Sequence, residues 1–115
     1  MLDNETMPLD QNQLVEAWNR TLPTVLKPGD RGEAKADEAD ARALRVHIDS
    51  AGHTGYTFDF KVTYVDNREL EVVFIDVDKE NRAVDERTAI IQQLIDDYVR
   101  HIHECGQALQ AVTNR

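Results

Sequence analysis

The chain has 115 residues, of which 41% are hydrophobic and 30% charged, and it carries a formal net charge of −9. That length fits one domain able to bury about two thirds of its unfolded surface, and that mix excludes an intrinsically disordered chain. One cysteine excludes an internal disulfide, and an acidic field opposes direct contact with a nucleic-acid backbone.

No apolar run reaches the roughly 18 residues that span a bilayer, and the first ten residues carry no apolar core of a signal peptide. The expectation is a cytoplasmic protein with no membrane contact. The lysines and arginines are scattered, so no basic patch invites nucleic acid.

In chain order, the first predicted element is a short helix. Asp10 is a suitable N-cap and Gln13, three residues on, completes a capping box. Leu14, Val15, Trp18 and Leu22 share one helical face, and Pro23 is expected to end the helix. Residues 23–42 hold two prolines, two glycines and alternating small and charged residues, which reads as a flexible connector. Within it, Thr24 to Leu26 is a candidate short strand and Glu33 to Arg42 a candidate solvated helical turn.

Three antiparallel strands are predicted next. Leu44, Val46 and Ile48 alternate with Arg45, His47 and Asp49; Tyr56, Phe58, Phe60, Val62 and Tyr64 alternate with Thr57, Asp59, Lys61 and Thr63. Gly52 and Gly55 mark the first turn, and Asp66-Asn67 the second. The alternation fixes a register with Asp49 opposite Thr57, His47 opposite Asp59 and Arg45 opposite Lys61. The third strand, Glu69 to Val77, places Leu70, Val72 and Phe74 on the buried face. Its other face, Val73, Ile75 and Val77, is apolar too, and an edge strand apolar on both faces needs cover.

A long helix is expected from near Val84. Ile91, Ile95, Tyr98, Ile102, Cys105, Leu109 and Val112 recur at spacings of three and four. Such a stripe is about 30 Å long, more than an eight-residue strand supplies, so its far end is expected to overhang the sheet. The fold expected is α+β in a single domain: an N-terminal helix, a three-stranded meander and a long C-terminal helix on one sheet face.

Chemistry-bearing clusters are sparse. His101 and His103 are two apart on a helix and point about 200° apart, so only His101 and Cys105 can share an ion, one or two ligands short of a zinc site. Asp76-Val77-Asp78-Lys79-Glu80-Asn81 opens like a calcium loop, but its closing position is Arg87 instead of glutamate. The spacing of Asp49, then nine residues, then Asp59-x-Lys61 resembles the nuclease signature of the PD-(D/E)xK superfamily. That resemblance implies two carboxylates on a divalent metal and a lysine assisting the attacking water. Ile48 stands where that signature has proline; a cross-strand charge ladder accounts for the same residues.

The order helix, strands, helix is similar to the double-stranded RNA-binding domain. However, the second helix here opens with Asp85-Glu86-Arg87 instead of basic residues, and His53 in the first turn is the sole shared feature.

No cofactor motif and no catalytic constellation stand out, so enzyme activity is not the leading expectation. Three functions follow from the residues. The first is a protein-interaction domain (adaptor, chaperone or inhibitor), expected to be a homodimer or to bind a basic protein through Val73, Ile75, Val77, Ile102, Leu109 and Val112. The second is an acidic nucleic-acid mimic presenting Asp49, Asp59, Glu69, Glu71, Asp76 and Asp78. The third is a metal-dependent hydrolase using Asp49, Asp59 and Lys61.

Overall fold

The structure is a computed structural model that describes residues 9–51, 55–66, 69–80, 82–85 and 87–113. Gly52, His53, Asn67, Asn81 and Glu86, all singled out in the sequence, lie outside the described residues. The elements run α1 (Gln11–Val25), β1 (Arg31–Ala36), β2 (Ala43–Asp49), β3 (Tyr56–Tyr64), β4 (Leu70–Lys79), β5 (Arg82–Ala83), α2 (Ala89–Ala108) and α3 (Gln110–Thr113). The strands form one antiparallel sheet in the order β1-β2-β3-β4-β5, in which β5 has only two residues.

The α+β class and the two flanking helices match the sequence expectation, whereas the count of strands does not. Four substantial strands stand where three were expected, and the extra one is β1, inside the stretch read as a connector. In Arg31-Gly-Glu-Ala-Lys-Ala the charged residues alternate with small ones in place of large apolar ones. The small inner face is a packing requirement: a Cβ on Gly32 would stand 2.7 Å from Leu26 Cδ1. The glycine that resembled a linker signal is where the end of α1 lies close to the sheet.

Pro23 does not end α1; the helix continues to Val25. Pro23 is exposed near the C-terminus, where few intrahelical bonds are lost, while Leu22 and Leu26 on either side of it are buried. The Leu26 N–H donating to Leu22 O at 3.1 Å closes the last turn. The capping box of Asp10 and Gln13 forms as expected.

The core lies between the sheet and the two helices on one of its faces. Three rows cross the sheet: Gly32–Ile48–Phe58–Val77, Ala34–Val46–Phe60–Phe74 and Ala36–Leu44–Val62–Val72. Trp18, Leu14 and Leu22 of α1 and Ile91, Ile95, Tyr98, Ile102 and Cys105 of α2 close over them. Two buried polar ties fix the layers. Trp18 Nε1 donates to Tyr64 Oη at 3.1 Å, and Tyr98 Oη lies 2.9 Å from Ser50 Oγ and 3.1 Å from Asp30 Oδ2. Burial pushes both tyrosines up to about 12, so both remain hydroxyl donors.

The C-terminal helix starts at Ala89, after Thr88, and not near Val84. β5 lies antiparallel to the end of β4, pairing Arg82 with Lys79 and Ala83 with Asp78, and the chain then crosses from sheet to helix. The apolar stripe holds as far as Cys105. The helix breaks at Leu109, and Leu109 and Val112 are half-buried. Gly106 packs against the start of β4, where an added Cβ would overlap Leu70 Cδ1.

Candidate functional site

Alternation leaves the outer face of the sheet, on which no helix among the described residues packs, to the polar residues. Its rows are Arg31–Asp49–Thr57–Asp78, Glu33–His47–Asp59–Asp76 and Lys35–Arg45–Lys61–Val73. The register read from the sequence for the first hairpin is the one observed.

Arg45 and Lys61 oppose one another across β2 and β3, a like-charge pair that needs an anion. Asp37, from the β1–β2 turn, supplies it. Its Oδ2 is 2.8 Å from Arg45 Nε and 4.0 Å from Lys61 Nζ, and its other oxygen accepts from the N–H groups of Ala39 and Asp40. The Arg45 hydrogen bond, followed by that from Ala39, holds the Asp37 carboxyl below the usual carboxylate range. Nothing in the sequence pointed to Asp37, because it belongs to a turn and reaches the face from outside the alternation.

His47 lies between two carboxylates. Nδ1 is 2.7 Å from Asp59 Oδ1 and Nε2 is 3.2 Å from Asp49 Oδ1. A neutral imidazole has one N–H, so satisfying both oxygens requires the imidazolium. Partial burial opposes the charged form, but the hydrogen bond and charge of Asp59, then those of Asp49, outweigh it and raise the His47 pKa.

This geometry redistributes the residues of the nuclease-like pattern. Asp49 and Asp59 are joined through His47, and Lys61 turns to Asp37. Among the described residues no three His, Cys, Asp or Glu groups converge as metal ligands. His101 Nδ1 lies 2.9 Å from Glu104 Oε1, and Cys105 is buried with its thiol pushed up to about 12, so it stays protonated. In the calcium-like segment, Asp76 Oδ1 accepts from the Val77 N–H, and the Glu80 N–H donates to Gly55 O. Asp76 to Lys79 thus belong to β4, and Glu80 begins a turn.

Of the expected interaction residues, Leu109 and Val112 are half-buried at the end of the C-terminal helix, and the other four separate into two sets. Val77 and Ile102 are fully buried in the core. Val77 is carried inward by a β-bulge: Asp59 pairs with Asp76 and Phe60 with Phe74, which leaves Ile75 unpaired and inverts the alternation beyond it. Val73 and Ile75 remain outward and are 46% and 40% exposed.

The two sheet edges differ. At β1, the Asn19 side chain of α1 donates to Ala34 O at 2.9 Å and accepts from Ala34 N at 2.8 Å, as a neighbouring strand would. The sequence pattern gave Asn19 no special standing, since it falls beside the apolar stripe of the helix. At β4, only Asp78 and Lys79 pair outward, with β5; among the described residues no strand pairs the outer edge of Leu70 to Val77. No helix among the described residues is long and apolar enough to cross a membrane. No protein-family model, curated protein or solved structure matches the chain.

Proposed function

We propose that this protein is a small interaction domain that acts by taking a partner strand onto the open edge of β4. The observation that carries this reading is the contrast between an edge closed by Asn19 and an edge that no described residue pairs, beside exposed Val73 and Ile75. Long open edges template strand pairing, so a fold that blocks one edge and leaves the other open has a use for the open one. The homodimer expected from the sequence is the form of this reading in which the partner is a second copy. A cytoplasmic setting fits a lone buried cysteine.

Size-exclusion chromatography with light scattering, run together with amide exchange, tests the reading. Slow exchange at Leu70, Val72 and Phe74 in a complex, whether with itself or with a partner, is the expected result. Fast exchange at these amides in every complex the protein forms would overturn it.

A nucleic-acid mimic is the second reading, supported by Asp49, Asp59, Glu71, Asp76 and Asp78 lying on one face. Arg31, Lys35, Arg45 and Lys61 share that face and weaken the resemblance to a phosphate array. Competition between DNA and this protein for a basic DNA-binding protein separates the readings, since a mimic must be displaced by DNA. The hydrolase reading has less support, because His47 already engages both carboxylates; a divalent-metal thermal shift abolished in Asp59→Asn would revive it.

A further inference from the structure

We propose that the strand completing β4 is a basic, extended segment of another protein and not a second copy of this chain. This rests on the interaction reading above and goes on to name the occupant.

The edge first fixes the conformation of the partner. Val65 N–H donates to Glu69 O across the hairpin, so alternation turns the backbone groups of Glu69, Glu71 and Val73 toward β3 and those of Leu70, Val72 and Phe74 outward. Three successive outward pairs of donor and acceptor call for an extended backbone. The bulge at Ile75 and the short β5 limit the reach of the partner to about the first half of the strand.

The side chains then fix its charge. From Glu69 to Lys79 the strand carries four carboxylates, Glu69, Glu71, Asp76 and Asp78. The one cation, Lys79, lies over the Tyr56 ring at 5.3 Å, at the end already paired with β5. Asp76 also stands directly opposite Asp59 of β3, whose nearest cationic partner is His47. Lys61, opposite Val73, is directed to Asp37. A second copy paired over the same half would bring a second Glu69 and Glu71 alongside this pair, within a protein of net charge −9. Strands are spaced about 4.8 Å apart, inside the roughly 10 Å screening length at moderate salt, so that repulsion is only partly screened. A strand with Lys or Arg opposite Glu71 and Glu69, and an apolar residue opposite Val73, meets both requirements.

The test uses the full chain with two end-blocked eight-residue peptides, one alternating Lys and Val, the other Glu and Val. Amide exchange is followed residue by residue. The Lys-Val peptide is expected to slow exchange at Leu70, Val72 and Phe74 and to bind at least about tenfold more tightly than the Glu-Val peptide, with the gap closing at high salt. Glu69→Lys with Glu71→Lys, both exposed positions, is expected to reverse the preference. Equal protection by both peptides, or protection by the Lys-Val peptide at other amides only, overturns the proposal. A dimer in the absence of peptide with those three amides protected also overturns it, but leaves the interaction reading standing. A monomer in which neither peptide protects those amides removes both.

Discussion

The two edges of this sheet solve one physical problem in different ways. β1 is six residues long, presents Arg31, Glu33 and Lys35, and has its middle residue hydrogen-bonded by a helix side chain. β4 is ten residues long, presents Val73 and Ile75 beside Glu71, Asp76 and Asp78, and on its outer edge, among the described residues, is met by another strand only over its last two. Charge, shortness and a covering group are the usual ways in which a fold prevents strand addition, and β1 uses all three. β4 has a bulge and a two-residue hairpin at one end. The difference marks the side of the molecule on which association is resisted and the side on which it is available.

The largest expected effect comes from opening the protected edge. Asn19→Ala leaves the Ala34 N–H and C=O without partners in a half-buried setting. The expected cost is about 1–3 kcal/mol of folding stability, read from urea denaturation. The variant should also self-associate more strongly than the parent, seen as a steeper rise of mass with concentration in light scattering. A stable monomeric variant would mean that the Asn19 bonds are incidental and that the edges do not differ in kind.

The contrast was only partly visible in the sequence. The first hairpin could be read to the residue, because large apolar and polar side chains alternate strictly through Leu44–Ile48 and Tyr56–Tyr64. β1 was hidden because its inner face is glycine and alanine, a choice dictated by the nearness of Leu26, which no local pattern announces. The bulge was hidden for another reason. Val73, Ile75 and Val77 are evenly spaced, and only the three-dimensional pairing shows that Val77 has crossed to the core. The one local hint is Asp76, a short polar side chain inside an apolar run that bonds the next backbone N–H. At the candidate site, the His47–Asp59 pair was legible from register, whereas Asp37 and Asn19 reach the sheet from a turn and a helix and have no signature at all.

A smaller effect sharpens the comparison from the middle of the outer face. His47 is raised above its unfolded pKa of about 6.5 by Asp59 and Asp49. The folded state therefore binds more protons in that range. The stabilisation from His47 is complete below about pH 6.5 and is lost as pH rises through the folded value. His47 is 44% exposed, so the effect is that of a screened surface pair, roughly 0.2–1 kcal/mol. The advantage of the parent over His47→Gln should shrink between acidic and alkaline urea titrations. Asp37 works in the opposite sense: its lowered pKa contributes stability above about pH 3.8 that is lost on further acidification. For His47, an advantage that grew with rising pH would mean that the folded state favours the neutral imidazole and that the two carboxylates do not outweigh burial.

The smallest effect on stability is the most telling for the open edge. Val73→Lys replaces an apolar side chain already 46% exposed on the face away from the core, so folding stability should change by no more than about 0.5 kcal/mol. A lysine on an edge strand is also one of the commonest natural guards against strand addition. The new ammonium would stand directly opposite Lys61, whose own amine is directed to Asp37, and would offset the carboxylates that favour a basic strand. The variant should therefore fold like the parent and lose the protection of Leu70, Val72 and Phe74 in any complex the parent forms. Stability and association respond separately here, because Val73 contributes little to the core that Val72 and Phe74 reach from the same strand. A variant that lost stability by several kcal/mol would place Val73 in the folding core, and the exposed valine would no longer distinguish the two edges.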